Sequence, residues 1–173
     1  YLGGDKEMEG NEKMKRVYNA LGRMVLIALF AVVLTLIPAN KAYAAIISNV
    51  LIGDVHYSLD TSTLEATVTG SLSVASDINI PSIVEYNSKT YTVIAIADEA
   101  FENSSITSVT IPDTVTSIGQ SAFSGCSGLT SIDIPDGVTS IGQSAFYGCS
   151  GLTSIDIPDG VTIIWDGTFY GCS

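Results

Sequence analysis

The sequence predicts a strand-dominated solenoid, mainly β with short helical turns, preceded by a β-hairpin cap and an N-terminal signal helix. Three observations carry this reading. A unit recurs with a period of 23 residues: SVTIPDTVTSIGQSAFSGCSGLT from Ser108, SIDIPDGVTSIGQSAFYGCSGLT from Ser131 and SIDIPDGVTIIWDGTFYGCS from Ser154. A fixed period of that size marks a solenoid, whose units bury their apolar faces only by stacking on one another. Ahead of the array, apolar and polar residues alternate through Val55, Tyr57 and Leu59, then through Leu64, Ala66 and Val68. Nearer the N-terminus, an apolar run from Met24 to Ile37 follows Lys15, Arg16 and Arg23.

The elements follow in chain order. Residues 1–13 are polar, acidic and aperiodic, and read as sequence upstream of a start at Met14. Residues 14–44 have the parts of a secretory signal peptide: a basic n-region, an apolar run closed by Pro38, and the A-x-A site Ala42-Tyr43-Ala44. Such a run spans ~21 Å as a helix, short of the ~30 Å hydrocarbon core. The expectation is cleavage and export, with membrane contact only through this segment. Residues 45–76 form the β cap, its strands meeting at Asp60-Thr61-Ser62-Thr63. A solenoid end exposes apolar side chains and unpaired backbone, so an atypical unit is expected there.

Residues 77–173 make about four coils. The first is disguised. Ile78-Asn79-Ile80-Pro81 matches Ile132-Asp133-Ile134-Pro135, and Val93, Ile96, Ala100 and Phe101 match Val115, Ile118, Ala122 and Phe123. Ile80 to Ile111 is one period plus eight residues, and the surplus falls in Val84–Tyr91, which reads as a hairpin turning at Asn87-Ser88 and bulging from the coil. One residue is missing between Phe101 and Ile106, which removes the Gly-Cys pair from that turn. The array stops in mid-repeat at Ser173, so the chain reads as a fragment of a longer one.

Within a coil, Leu129-Thr130-Ser131-Ile132-Asp133-Ile134 has the L-x-x-L-x-L form of a leucine-rich repeat. Leu129, Ile132 and Ile134 point inward, and the residues between them face solvent on a strand. Pro135-Asp136-Gly137 turns the chain. Val138 and Ile141 make a second short β segment, and Ser144-Ala145-Phe146 packs inward on a single helical turn. Coils stack at ~4.8 Å, so equivalent residues form ladders.

Charge narrows the partners. The net charge is −11, and after Ala44 only Lys89 is basic against fourteen Asp and Glu. Such a surface repels phosphate, which argues against nucleic acid and anionic membrane. Cys126, Cys149 and Cys172 share one ladder position and read as small core residues, not as a disulfide framework. No catalytic constellation, cofactor loop or metal-ligand spacing stands out. His56 lies on a cap strand. Asp133 and Asp156 stack on the strand face, and Asp113, Asp136 and Asp159 at the turn; Ca²⁺ would relieve their repulsion, although the Pro-Asp turn explains the second set without a metal. No cofactor is expected.

The candidate ligand surface is the outward strip of Thr107, Thr130 and Thr153, of Ser108, Ser131 and Ser154, and of Thr110, Asp133 and Asp156, together with Trp165, which replaces a glycine. The alternative is that these small polar residues only keep the strand soluble, and that a further coil covers Trp165.

The pattern I-P-D-x-V-T-S-I-G-x-x-A-F-x-G-C-x-x-L, at 111–129 and 134–152 and in part from 157, resembles the BspA-like leucine-rich repeat family over roughly residues 55–173. The resemblance implies a secreted or surface protein that adheres to host proteins, glycans or other cells, without catalysis. The alternative is a scaffold region of a larger secreted enzyme or surface-layer protein. Oligomeric state is left open.

Overall fold

Nine strands follow from the alternating and repeating patterns, in a computed structural model that describes residues 45–72 and 75–172. The expected signal peptide and the residues before it lie outside the described residues. β1 (Ile46–Ile52), β2 (Val55–Asp60) and β3 (Glu65–Ser71) form an antiparallel meander. Val55, Tyr57, Leu59, Ala66 and Val68 are buried, so the alternation read from the sequence places their side chains in the core. Leu64 does not follow it. Leu64 sits in the turn with φ of 60° and is exposed, because Asp60 closes that turn by accepting the Ser62 and Thr63 amides. β1 completes a third strand beyond the expected hairpin, with a bulge at Asn49.

β5 (Ile83–Tyr86) and β6 (Lys89–Ile96) are the hairpin of the eight-residue surplus. Its two-residue loop places Asn87 and Ser88 at φ of 49° and 60°, the turn whose twist suits a hairpin. The hairpin does not bulge free. Val84 and Tyr91 are buried, and β6 continues into the coil sheet. β3 pairs with β6 in parallel, β6 with β8 (Ser117–Ile118), and β8 with β9 (Ser140–Ile141). On another side of the coils, β4 (Asp77–Asn79) pairs in parallel with β7 (Ser108–Thr110). This pairs Ile78 with Val109, the register expected of the disguised first coil. Residues 77–106, 107–129, 130–152 and 153–172 are called coils one to four below.

The core is a set of columns. Phe101, Phe123, Phe146 and Phe169 stack with ring centroids 5.2, 5.4 and 5.6 Å apart and interplanar angles of 10° or less. Val115 and Val138, Ile118 and Ile141, and Ala122 and Ala145 run beside them, all buried.

Backbone ladders join the coils on two sides. On the strand side, the parallel pairing of β6, β8 and β9 is extended by amides that donate back: Gly119 to Ile96 O at 2.9 Å, and Gly142 to Ile118 O at 2.9 Å. On the phenylalanine side they point forward: Phe101 donates to Ala122 O at 2.8 Å, Phe123 to Ala145 O at 2.8 Å, and Phe146 to Thr168 O at 3.0 Å. Satisfying these buried groups between coils is what a solenoid needs in place of a helix.

The expected helical turn at Ser144-Ala145-Phe146 is therefore absent, and no helix occurs among the described residues. Ser144 has φ of 56°, like Ser121 at 52° and Glu99 at 57°, which no right-handed helix admits. The segment instead makes successive i→i+3 turns, with the Tyr147 amide on Ser144 O at 3.0 Å and the Cys149 amide on Phe146 O at 3.2 Å. Amides lying between these reach the next coil. The Leu129–Ile134 segment alternates inward and outward as expected, but strand pairing on that side is confined to β4 and β7. In coil one, Asn103 takes the glycine's place, with φ of 53° against 73° for Gly125.

Coil spacing depends on a glycine. A Cβ on Gly142 would lie 2.4 Å from Gln120 N, and one on Gly119 2.4 Å from Asp98 N. The third residue of that column is Trp165, which has no such seat. It is 52% exposed, and the strand ladder ends at β9.

Two stability outcomes follow. Phe146→Ala removes a ring stacked on both faces and should lower unfolding free energy by about 3–5 kcal/mol in denaturant titration. Gly142→Ala should destabilise through backbone overlap, whereas Trp165→Gly should raise the melting temperature by letting coil four seat. An unchanged melt for both glycine-column variants would refute the spacing role.

Candidate functional site

The expected ligand strip is solvent-facing throughout. Thr107, Ser108, Thr110, Thr130, Ser131, Asp133, Thr153, Ser154 and Asp156 are all exposed. Their neighbours Val109, Ile111, Ile132 and Ile134 are buried, so the alternation that fills the core also aims the strip outward. The first coils tie part of it down. Ser108 Oγ donates to Asp77 Oδ1 at 2.7 Å and Thr107 Oγ1 to the same atom at 3.2 Å. Thr107 also reaches Ser76 O at 3.3 Å. Among the described residues no hydrogen bond engages the side chains of Thr130, Ser131, Asp133, Thr153, Ser154 or Asp156. The strip thus divides into a self-bonded part at coils one and two and an unengaged part at coils three and four.

Trp165 is placed apart from the strip, following the segment Thr162–Ile164, and it is exposed with Ile163 and Ile164. Tyr147 and Tyr170 add a stacked pair on the exterior, ring centroids 5.3 Å apart. Sequence reading did not single out Ile163, Tyr147 or Tyr170. Their signal was present, since each stands where another coil carries serine.

The carboxylates do not assemble a metal centre. Among the described residues, no group of three His, Cys, Asp or Glu side chains converges on a site for an ion. Asp98 has a structural task, accepting the Gln120 amide at 2.7 Å. Asp60 accepts from the Ser62 hydroxyl and from the Ser62 and Thr63 amides, and these bonds hold its carboxyl below the usual range.

The cysteines are free thiols within the repeat core. Each donates to a phenylalanine carbonyl of the preceding coil: Cys126 to Phe101 at 3.0 Å, Cys149 to Phe123 at 3.1 Å, and Cys172 to Phe146 at 3.3 Å. Burial pushes the Cys126 thiol up to about 11 and that of Cys149 up to about 12. Thiolate is the nucleophile, so burial keeps Cys126 and Cys149 in the less reactive thiol form.

Three solved structures share this architecture. A leucine-rich repeat protein from Bacteroides capillosus is 30% identical with a TM-score of 0.65, over 72% of this chain and 92% of its own. One from Bacteroides ovatus is 35% identical with a TM-score of 0.68, over 72% of this chain and 33% of its own. A leucine rich cell surface protein from Faecalibacterium prausnitzii is 30% identical with a TM-score of 0.56, over 78% of this chain and 42% of its own. The family model "BspA type Leucine rich repeat region (6 copies)" matches residues 94–173. The chain belongs to this family. No curated protein matches it. The BspA-type match opens at Ile94, within β6, at the coil that is disguised in sequence. The chain spans about a third and two fifths of the Bacteroides ovatus and Faecalibacterium proteins.

The thiols set an alkaline limit. Cys126, Cys149 and Tyr57 are all raised by burial, Tyr57 to about 12. A raised folded value favours the protonated native state, so this stability is complete below pH ~9 and is lost as pH rises through 11–12. Thiol titration at pH ~8 should label Cys126 and Cys149 only after unfolding; rapid labelling of the native chain would show that the coils open.

Proposed function

We propose that this chain is a non-catalytic binding module of an exported or surface-exposed protein, which engages a protein or glycan through the outward strip of coils three and four. The observation that carries it is the repeat of unengaged Thr130-Ser131-x-Asp133 and Thr153-Ser154-x-Asp156 on a backbone held by core columns. Groups held in register by a rigid scaffold need little ordering when a ligand binds, so their hydrogen bonds translate into affinity. A leucine-rich solenoid offers such a surface over many coils. Support for a surface location comes from the Faecalibacterium relative, described as a cell surface protein. Adhesion, export and the nature of the ligand belong to the proposal.

Binding of the chain to immobilised matrix proteins and to a glycan panel tests it. A saturable signal should fall about tenfold or more when Asp133 and Asp156 are both changed to Lys, equivalent to about 1.4 kcal/mol. Undiminished binding by that variant would remove the strip from the function.

A further inference from the structure

Coils three and four carry apolar side chains in columns that are polar and solvent-facing earlier in the array. Ile163 stands in the column of Ser117 and Ser140, and Tyr147 and Tyr170 in that of Ser124. Trp165 stands in the column of Gly119 and Gly142 and is turned outward because a side chain has no seat there. Ile163 is 56% exposed, Tyr147 45% and Tyr170 68%. The open end of a stack does not account for this. A following coil covers inward columns, as coil four covers Ile141 and Phe146. Yet Ser140 and Tyr147 already lie beneath coil four, and both remain exposed. The columns of Ile163 and Tyr170 therefore face sideways, and another coil would leave them in solvent.

The surrounding charge is of one sign. Asp159 and Asp166 are exposed in coil four, and no Lys or Arg follows Lys89. We propose that the exposed stretch of Ile163, Trp165 and Asp166 on the strand side of coil four is a docking surface for a protein segment that presents arginine or lysine among aliphatic side chains. The exposed ring of Trp165 accepts a cation, Asp166 complements its charge, and Ile163 supplies aliphatic area. A sugar would use the ring but gain little from the isoleucine. A second copy of this chain would bring acidic surfaces together. The inference rests on the binding-module reading but not on the polar strip, and it supplies the chemistry of a partner.

Trp165 is the single tryptophan of the chain, so its emission reports this flank directly. Titrating the full 173-residue chain with a synthetic hexapeptide of alternating arginine and valine should shift the emission to the blue with saturation. Raising salt to ~1 M should weaken the binding about tenfold. Ile163→Ser and Asp166→Asn should each weaken it several-fold, with thermal melts that show the fold intact. The proposal is overturned if the arginine peptide leaves the emission unmoved, or if its glutamate analogue acts equally. It is also overturned if maltohexaose, or the protein's own concentration, produces the shift instead. None of these outcomes bears on the strip, which the Asp133 and Asp156 variants test separately.

Discussion

The distance between coils is the constraint on which the molecule depends. The phenylalanine column holds one side at ring contact, 5.2–5.6 Å, while Gly119 and Gly142 let the strand side close until backbone meets backbone. Only at that separation do amides of one coil reach carbonyls of the next. The inward valines and isoleucines are buried at that separation. Loss of a ring or gain of a side chain disturbs the same quantity from opposite directions. Coil four illustrates the second case within the native sequence, since Trp165 interrupts the glycine column where the strand ladder stops.

Much of this was legible because a repeat shows each core column several times. Ile111, Ile134 and Ile157, or Phe123, Phe146 and Phe169, announce a shared environment that a single occurrence would leave open. Even the swollen first coil was recognisable, since Ile78 and Phe101 retained their columns. Left-handed backbone was not legible. Ser121 and Ser144 adopt positive φ without glycine's signature, and that conformation converts an expected helical turn into linked turns. Leu64 was misplaced because alternation carries no mark of where a turn begins; the Asp60 hydrogen bonds decide it. The isolated β1 pattern was hidden by its bulge, which breaks period-two alternation at Asn49.

The surface was harder to read for a different reason. Repetition identifies what coils share, whereas a ligand is recognised by what differs between them. The exposed strip was visible as a column, but the bonds from Thr107 and Ser108 to Asp77, which separate its two halves, arise from stacking that residue spacing does not display. The lateral apolar residues were visible only as deviations from serine, and a deviation has meaning once its column is known to face sideways.

The backbone ladders between coils constrain how such an array changes length. Amides of Phe101, Phe123 and Phe146 each meet the carbonyl of the residue before the next phenylalanine, while β6, β8 and β9 pair in parallel register. Sliding one coil along the next would break both ladders at once. Insertions and deletions within the stack are therefore restricted to whole turns of the solenoid, unless the surplus leaves the ladder. Coil one shows both permitted exceptions: eight residues added as the β5–β6 hairpin, and one lost in the turn between Phe101 and Ile106. Length variation in this protein is quantised by hydrogen-bond register, and its departures mark the segments where the backbone is free to change.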